Sequence, residues 1–157
     1  MIAVNYQTGR LMLVVTISFL LVMASCLHCI ASDADHAGIV KSLAGTVAIL
    51  RNTAPLKAEP NMKLYKGDRI ETGTDGKVGL IFEDDTVVSI GPNSTIVIDD
   101  FIFQPQDRKL SFIARILKGT VSYLSGQIGK LAPNKVRVET PQATVALRGT
   151  HILIKVD

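Results

Sequence analysis

Lys77-Val-Gly-Leu-Ile-Phe82, Glu83-Asp-Asp85, Thr86-Val-Val-Ser-Ile90, Gly91-Pro-Asn-Ser94, Thr95-Ile-Val-Ile-Asp99: this stretch decides the fold. Three short apolar runs rich in β-branched residues are separated by two clusters of turn formers. Strands of four to eight residues bounded by such clusters at roughly ten-residue spacing read as a sandwich or barrel-like all-β fold. The same texture continues in both directions. Upstream lie Gly38–Leu43 and Thr46–Arg51 around Ala44-Gly45, a polar stretch Asn52–Met62 with Pro55 and Pro60 that reads as a loop, then Asp68–Thr72 and a turn at Gly73–Gly76. Downstream lie Leu110–Ile116, Lys118–Leu124, Val136–Thr140, Ala143–Leu147 and His151–Val156. Ser125–Pro133 is the one place where a helical turn is expected, kept short by Gly126, Gly129 and Pro133. No segment sustains a 3.6-residue period, which excludes a helix-rich fold. Alternation places Val78, Leu80, Phe82, Val136, Val138, Val145, Leu147, Ile152 and Ile154 on the inward side of their strands.

The chain has 157 residues, enough for one domain, and 47% of them are hydrophobic. Part of that share belongs to the N-terminus. Leu11–Ser32 carries no Asp, Glu, Lys or Arg, follows Arg10, and is succeeded by Asp33 and Asp35. A positive end, an apolar run and small residues (Ala24, Ser25, Ala31, Ser32) are the order of a secretory signal, and the flanking charges favour moving the rest across the membrane. Three outcomes fit: cleavage near Ala31, Ser32 or Ala34, which is the leading expectation; lipoprotein processing before Cys26 in Met23-Ala24-Ser25-Cys26; or retention of the uncut segment as a membrane anchor. The expected organisation is therefore residues 1–32 as signal or lipid-anchor segment and residues 37–157 as one all-β domain. The expected location is periplasmic or otherwise extracytoplasmic, with membrane contact only through the N-terminal segment or a lipid on Cys26.

Several chemistries find no footing. Cys26 and Cys29 are the only cysteines and fall in the segment expected to be removed, so no redox motif or disulfide is expected in the mature domain. His36 and His151 lie far apart and outside any ligand motif, and no metal is expected. Asp84-Asp85 and Asp99-Asp100 are weighed as Ca²⁺ ligands, but neighbouring strand acids face opposite sides and turn acids are ordinarily solvated. No G-x-S-x-G and no phosphate-binding glycine loop occurs, and the domain is small for a glycosidase cleft. No catalytic residue, cofactor or enzymatic activity is expected.

Charge is uneven. Residues 33–100 carry 7 basic and 11 acidic side chains, and residues 101–157 carry 9 basic and 3 acidic. This asymmetry supports self-association or an acidic partner as well as simple solvation. The basic residues are scattered, Trp is absent and no aromatic–basic interleaving occurs, so nucleic acid is not expected. An internal echo is present: Leu43-Ala-Gly-Thr-Val47 resembles Leu117-Lys-Gly-Thr-Val121, and Arg69-Ile-Glu-Thr72 resembles Arg137-Val-Glu-Thr140, in the same order. Two similar β layers, as in a jelly roll or double-stranded β-helix, are the expected consequence.

Gly67-Asp68, Glu71-Thr72-Gly73, Phe82-Glu-Asp-Asp85-Thr86 and Ile90-Gly91-Pro-Asn-Ser94, followed by Lys118-Gly119-Thr120, Val138-Glu-Thr140-Pro141 and Arg148-Gly149-Thr150, resemble the FecR domain in sequence and order. The similarity covers about residues 37–156. The resemblance implies an extracytoplasmic all-β sensory or interaction module. In the family's named member that module receives a signal from an outer-membrane transporter and passes it to a cytoplasmic anti-sigma region. Only ten residues precede the apolar run here, so that anti-sigma region is expected to be absent. The expected partner is another envelope protein, with a glycan as alternative; a ligand-free structural envelope protein is the competing function.

The motif residues also have physical readings. Gly73, Gly91 and Gly149 suit positive φ or close approach. Asp84-Asp85 and Pro92-Asn93 form turns, and Pro141 starts an edge strand. Arg148 is expected to pair with a carboxylate such as Glu139 or Glu71, with ligand contact as the alternative.

Export predicts a measurable start. Mass spectrometry of the native protein should show an N-terminus between Cys26 and Asp35. A lipid mass on Cys26 selects the lipoprotein route, and an unprocessed cytosolic chain overturns the export reading.

Overall fold

One strand organises the fold. β9, Lys109–Leu124, runs for 16 residues and belongs to two sheets in turn. In the computed structural model, residues 36–146 and 151–157 are described; the expectations for the N-terminal segment, Cys26 and Leu147–Thr150 lie outside them. The other strands are β1 (Gly38–Ala44), β2 (Val47–Arg51), β3 (Ala54–Lys57), β4 (Lys63–Leu64), β5 (Arg69–Thr72), β6 (Lys77–Phe82), β7 (Val87–Ile90), β8 (Thr95–Gln104), β10 (Val136–Glu139), β11 (Thr144–Ala146) and β12 (His151–Val156). A five-residue helix α1, Gln127–Leu131, and a 3₁₀ turn, Pro133–Lys135, are the helical elements described.

The strands form one continuous hydrogen-bonded path that curls into two layers. Sheet A runs β4-β1-β6-β7-β9-β12, using residues 119–124 of β9. Sheet B runs β3-β2-β5-β8-β9-β10-β11, using residues 109–118 of β9. All pairings are antiparallel except β9 with β10. The inner faces meet through aromatic rings: Phe82 of sheet A lies 5.0 Å from Phe112 and 5.5 Å from Phe101 of sheet B, and Phe112 lies 5.4 Å from Tyr123. The edge-to-face pairs Phe82–Phe112 and Phe112–Tyr123 each add about 0.5–1.5 kcal/mol beyond area burial.

The layer switch is visible in side-chain parity. Along β9 the buried residues are Phe112, Ala114 and Ile116, then Val121 and Tyr123, so the inward set changes from even to odd between 116 and 121. Gly119 makes the change at φ +93°, and a Cβ there would collide with Ser94 Oγ, Cα and Cβ. The echo in the sequence marks the same device twice. Gly45, at φ +66°, carries the chain from β1 in sheet A to β2 in sheet B, as Gly119 carries it from sheet B to sheet A. The second pair of echoed segments, β5 and β10, both lie in sheet B, with Ile70 and Val138 buried.

The all-β reading and most element boundaries agree with the structure, and four points differ. The polar stretch after β2 contains β3: Asn52 and Thr53, both at positive φ, make a two-residue hairpin turn, and Pro55 is tolerated because β3 pairs on one side only. Leu110–Ile116 and Lys118–Leu124 are one strand, since Gly119 bends the chain without ending its pairing. β8 continues to Gln104 through a register shift at Ile98/Asp100. Val78, Leu80, Phe82, Val136 and Val138 are buried as expected, whereas Val145, Ile152 and Ile154 are half-buried, because β11 and β12 each have one described neighbour.

Leu80→Ala should lower stability by about 2–5 kcal/mol through lost burial and a cavity. Gly119→Ala should match it, by combining a left-handed backbone with overpacking against Ser94. Gly91→Ala, whose Cβ would meet Thr120 O at an ordinary 3.4 Å, should cost far less. Thermal melting of the three variants checks the order, and a parent-like Gly119→Ala would refute the layer-switch role.

Candidate functional site

The motif residues form three hydrogen-bonded knots, each built where a turn meets a strand. In the first, Asp68 is fully buried at the start of β5. Arg51, at the end of β2, donates from Nε to Asp68 Oδ1 at 2.8 Å and from Nη2 to Asp68 Oδ2 at 2.8 Å, the two-pronged geometry that suits guanidinium and carboxylate. Arg51 Nη2 also donates to Lys63 O at 2.8 Å, and the guanidinium lies 4.4 Å above the Tyr65 ring centre. Tyr65 N–H donates to Asp68 Oδ2 at 2.9 Å. The Asp68 hydrogen bond is the first cause of the upward shift of the Arg51 pKa. Gly67 N–H donates to Ile98 O at 2.7 Å, tying the preceding turn to β8.

The second knot joins the two glycine turns to the layer switch. Thr72 Oγ1 donates to Gly91 O at 2.7 Å and accepts from Ser94 N–H at 2.9 Å. Ser94 Oγ accepts from Thr120 N–H at 3.0 Å, and Gly91 N–H donates to Thr120 O at 2.8 Å. Gly73 N–H donates to Thr46 O at 2.9 Å, and its Cβ would stand 3.0 Å from Thr46 Cβ. Gly73 therefore serves close approach rather than positive φ, and at Gly91 neither constraint is tight.

The third knot is the acidic turn. Asp84 is fully buried, not solvated as expected. Its Oδ1 accepts from Thr86 N–H at 3.1 Å, and its Oδ2 accepts from Thr86 Oγ1 at 2.8 Å and Ile128 N–H at 3.1 Å. Thr86 Oγ1 accepts from Gly126 N–H at 3.1 Å, and Gln127 N–H donates to Asp84 O at 2.6 Å. The carboxylate thus fastens the start of α1 to the β6–β7 turn. Gly126 permits this approach, since a Cβ there would overlap Asp84 O and Thr86 N. Tyr123 is buried nearby, and burial raises its phenol pKa. Asp85 is exposed at φ +64°, and its carboxylate accepts from Gln127 Nε2 at 2.8 Å.

Other expectations fare unevenly. Thr140 closes a small turn by accepting from Ala143 N–H at 3.0 Å, and Pro141 lies in that bend rather than in a strand. Arg148, Gly149 and Thr150 lie outside the described residues. The carboxylates proposed for Arg148 are engaged locally: Glu71 with Arg69 at 2.7 Å and Glu139 with Arg137 at 3.9 Å. Arg51 and Asp68 form an ion pair with a fully buried carboxylate, which the sequence reading missed. The signal that could have found it is Arg51 at the end of an apolar run, where a long side chain reaches back across the hairpin.

The acids Asp99 and Asp100 serve opposite partners, Arg115 and Lys66. The Lys66 hydrogen bond is the chief cause holding the Asp100 carboxyl below its usual range. Among the described residues no group of three or more His, Cys, Asp or Glu converges. Ser122 Oγ and His151 Nε2 are 2.7 Å apart on the outer face of sheet A. Among the described residues no carboxylate pairs with His151 to orient its ring as a triad requires. A groove of about 430 Å³ crosses that same face, floored by Ser42, Gly79, Ser89 and Ser122 with Leu153 at one end. A second, of about 450 Å³, lies between the His36–Glu83 pair and Phe101, Phe103 and Lys109 of the β8–β9 arm.

A two-layer β scaffold whose motif residues are consumed in turn-locking knots defines a small extended-surface module. The family described as FecR protein matches residues 68–157, and the chain belongs to that family of cell-envelope sensory and signalling modules. No curated protein and no solved structure matches the chain.

Asp84→Ala should cost at least about 3 kcal/mol, since it strands the N–H of Ile128 and Thr86 in the interior. Asp85→Ala should cost about 1 kcal/mol, chiefly from the left-handed backbone. Denaturant titration of both variants separates these roles, and the reverse order would make Asp85 the functional acid.

Proposed function

We propose that the chain is a non-enzymatic, extracytoplasmic interaction module that receives or relays a signal by binding another envelope protein. The observation that carries this reading is the FecR match over residues 68–157. The geometry supports it in a specific way. Asp68, Thr72, Asp84, Thr86 and Ser94 are buried and hydrogen-bonded within the fold, so the motif builds a scaffold and leaves recognition to the outer faces and loops. The Leu11–Ser32 segment supports export, with Cys26 as the residue that a lipid would modify. The scaffold carries its own hydrophobic core.

Affinity purification of the full chain from envelope extracts tests this reading. One stoichiometric envelope protein is the expected result. Recovery of no partner favours a structural envelope component, and turnover of a small substrate by the purified chain overturns the non-enzymatic assignment.

A further inference from the structure

The two outer faces of the sandwich are built for different neighbours. Sheet B is laced with ion pairs, Arg69–Glu71, Arg115–Asp99 and Arg137–Glu139, so six of the charges there already have partners. On the outer face of sheet A the ion pair Lys155–Asp157 stands at the end of β12, and apolar side chains hold the middle. Ile39, Ile81, Val87 and Leu124 stand directly opposite one another across four strands, and Leu124 is 47% exposed. Beside this row runs a second, Ser42, Gly79, Ser89, Ser122 and Leu153, again in direct register. Leu153 is 70% exposed. The small side chains sink the second row below the first, which makes the groove.

Its dimensions name a shape. Five strands at about 4.8 Å spacing give a length of about 19 Å, and the four steps along β6 from Lys77 to the apolar row at Ile81 give a width of about 13 Å. An α-helix with side chains is about 10–12 Å across, and about 13 residues of it cover 19 Å. Charge names the chemistry. Lys77 lines the groove and Lys41 precedes its Ser42 in β1; both are exposed, without a carboxylate partner among the described residues. The acids nearby are engaged elsewhere: Glu83 with His36, Asp75 with Thr46 N–H, and Asp157 with Lys155.

We propose that the outer face of sheet A docks an amphipathic helix of a partner envelope protein, its apolar stripe on the Ile81–Val87–Leu124 row and its carboxylates toward Lys77 and Lys41. The proposal rests on the interaction-module reading and specifies its surface. A second copy of the chain fits poorly, because groove would face groove and lysine would face lysine. A flat bilayer would leave the sunken serine row unfilled.

The test is site-specific photocrosslinking in the full chain, expressed in the cells that make it. Benzoylphenylalanine replaces Ser89 in the groove or Val97 on the outer face of sheet B. The Ser89 probe should capture one protein, and sequencing of the crosslinked peptide should give apolar residues at three- and four-residue spacing flanked by Asp or Glu. The Val97 probe should capture none. Adding Lys77→Glu should cut the Ser89 yield roughly tenfold by exchanging attraction for repulsion, with Lys135→Glu neutral and both melting points parent-like. Capture of a second copy, of lipid, or of a basic or non-helical segment overturns the proposal. Capture from Val97 alone overturns the face while leaving the partner reading intact. Capture from neither probe overturns the face, and the stoichiometric purification then decides the partner reading separately.

Discussion

The structure depends on the crossing of β9 from one layer to the other at Gly119. A strand that continues through a left-handed residue changes which of its side chains point inward, so the second half can line the opposite wall of the same core. Ser94 fills the space where a Cβ would be, and its hydroxyl accepts from Thr120 N–H just past the bend. Thr72 then holds the turn that presents Ser94. Gly45 makes the corresponding crossing between β1 and β2, where Asp75 occupies the space and accepts from Thr46 N–H. At both crossings the residue after the glycine is a threonine whose N–H is satisfied by a turn side chain. The repeated Gly-Thr-Val is thus a repeated geometric solution.

Two buried carboxylates secure what the crossings arrange, by different means. Asp68 has a cation: the Arg51 fork supplies charge and geometry together, and Tyr65 covers the guanidinium. Asp84 has none, and its charge is spread over two backbone N–H groups and one hydroxyl. Removing one member of either arrangement leaves interior polar groups without partners, which costs more than the arrangement contributes on balance. Both carboxylates sit at turns, where backbone N–H groups would otherwise go unpaired. This explains why a β module of this size places its charged interior residues at strand ends.

Much of the fold was legible because β-branched runs and turn formers report local geometry. Val78, Leu80 and Phe82 alternate cleanly between two turns, so their inward direction follows from the strand period. What failed depended on distant partners. Asp84 and Asp85 are identical in type and adjacent, and only the arrival of α1 from 40 residues downstream makes one an interior acceptor and leaves the other at the surface. The Arg51–Asp68 pair spans 17 residues, and nothing local to Asp68 selects its cation. β3 was hidden because Pro55 and the polar residues around it read as loop, while the left-handed Asn52-Thr53 turn carries no glycine. The outer faces were least legible, since the Ile81–Val87–Leu124 row exists only once the strand order is known.

A module of this kind has its outer faces free to vary. The knots consume the motif residues, so what remains free to vary is the outward half of each strand. On sheet B the charges of three outward ion pairs neutralise one another, and such exposed pairs add little to stability. Their effect is on association: a partner docking there would have to strip water from six charged groups that already satisfy one another. On sheet A the same operation removes water chiefly from isoleucine, valine and leucine, whose desolvation is favourable, and from neutral serine hydroxyls, which cost less to desolvate than charges. The lysines at its edge keep their water while steering an acidic partner. The difference between the faces is therefore one of desolvation cost, and it directs association to sheet A without altering the scaffold beneath.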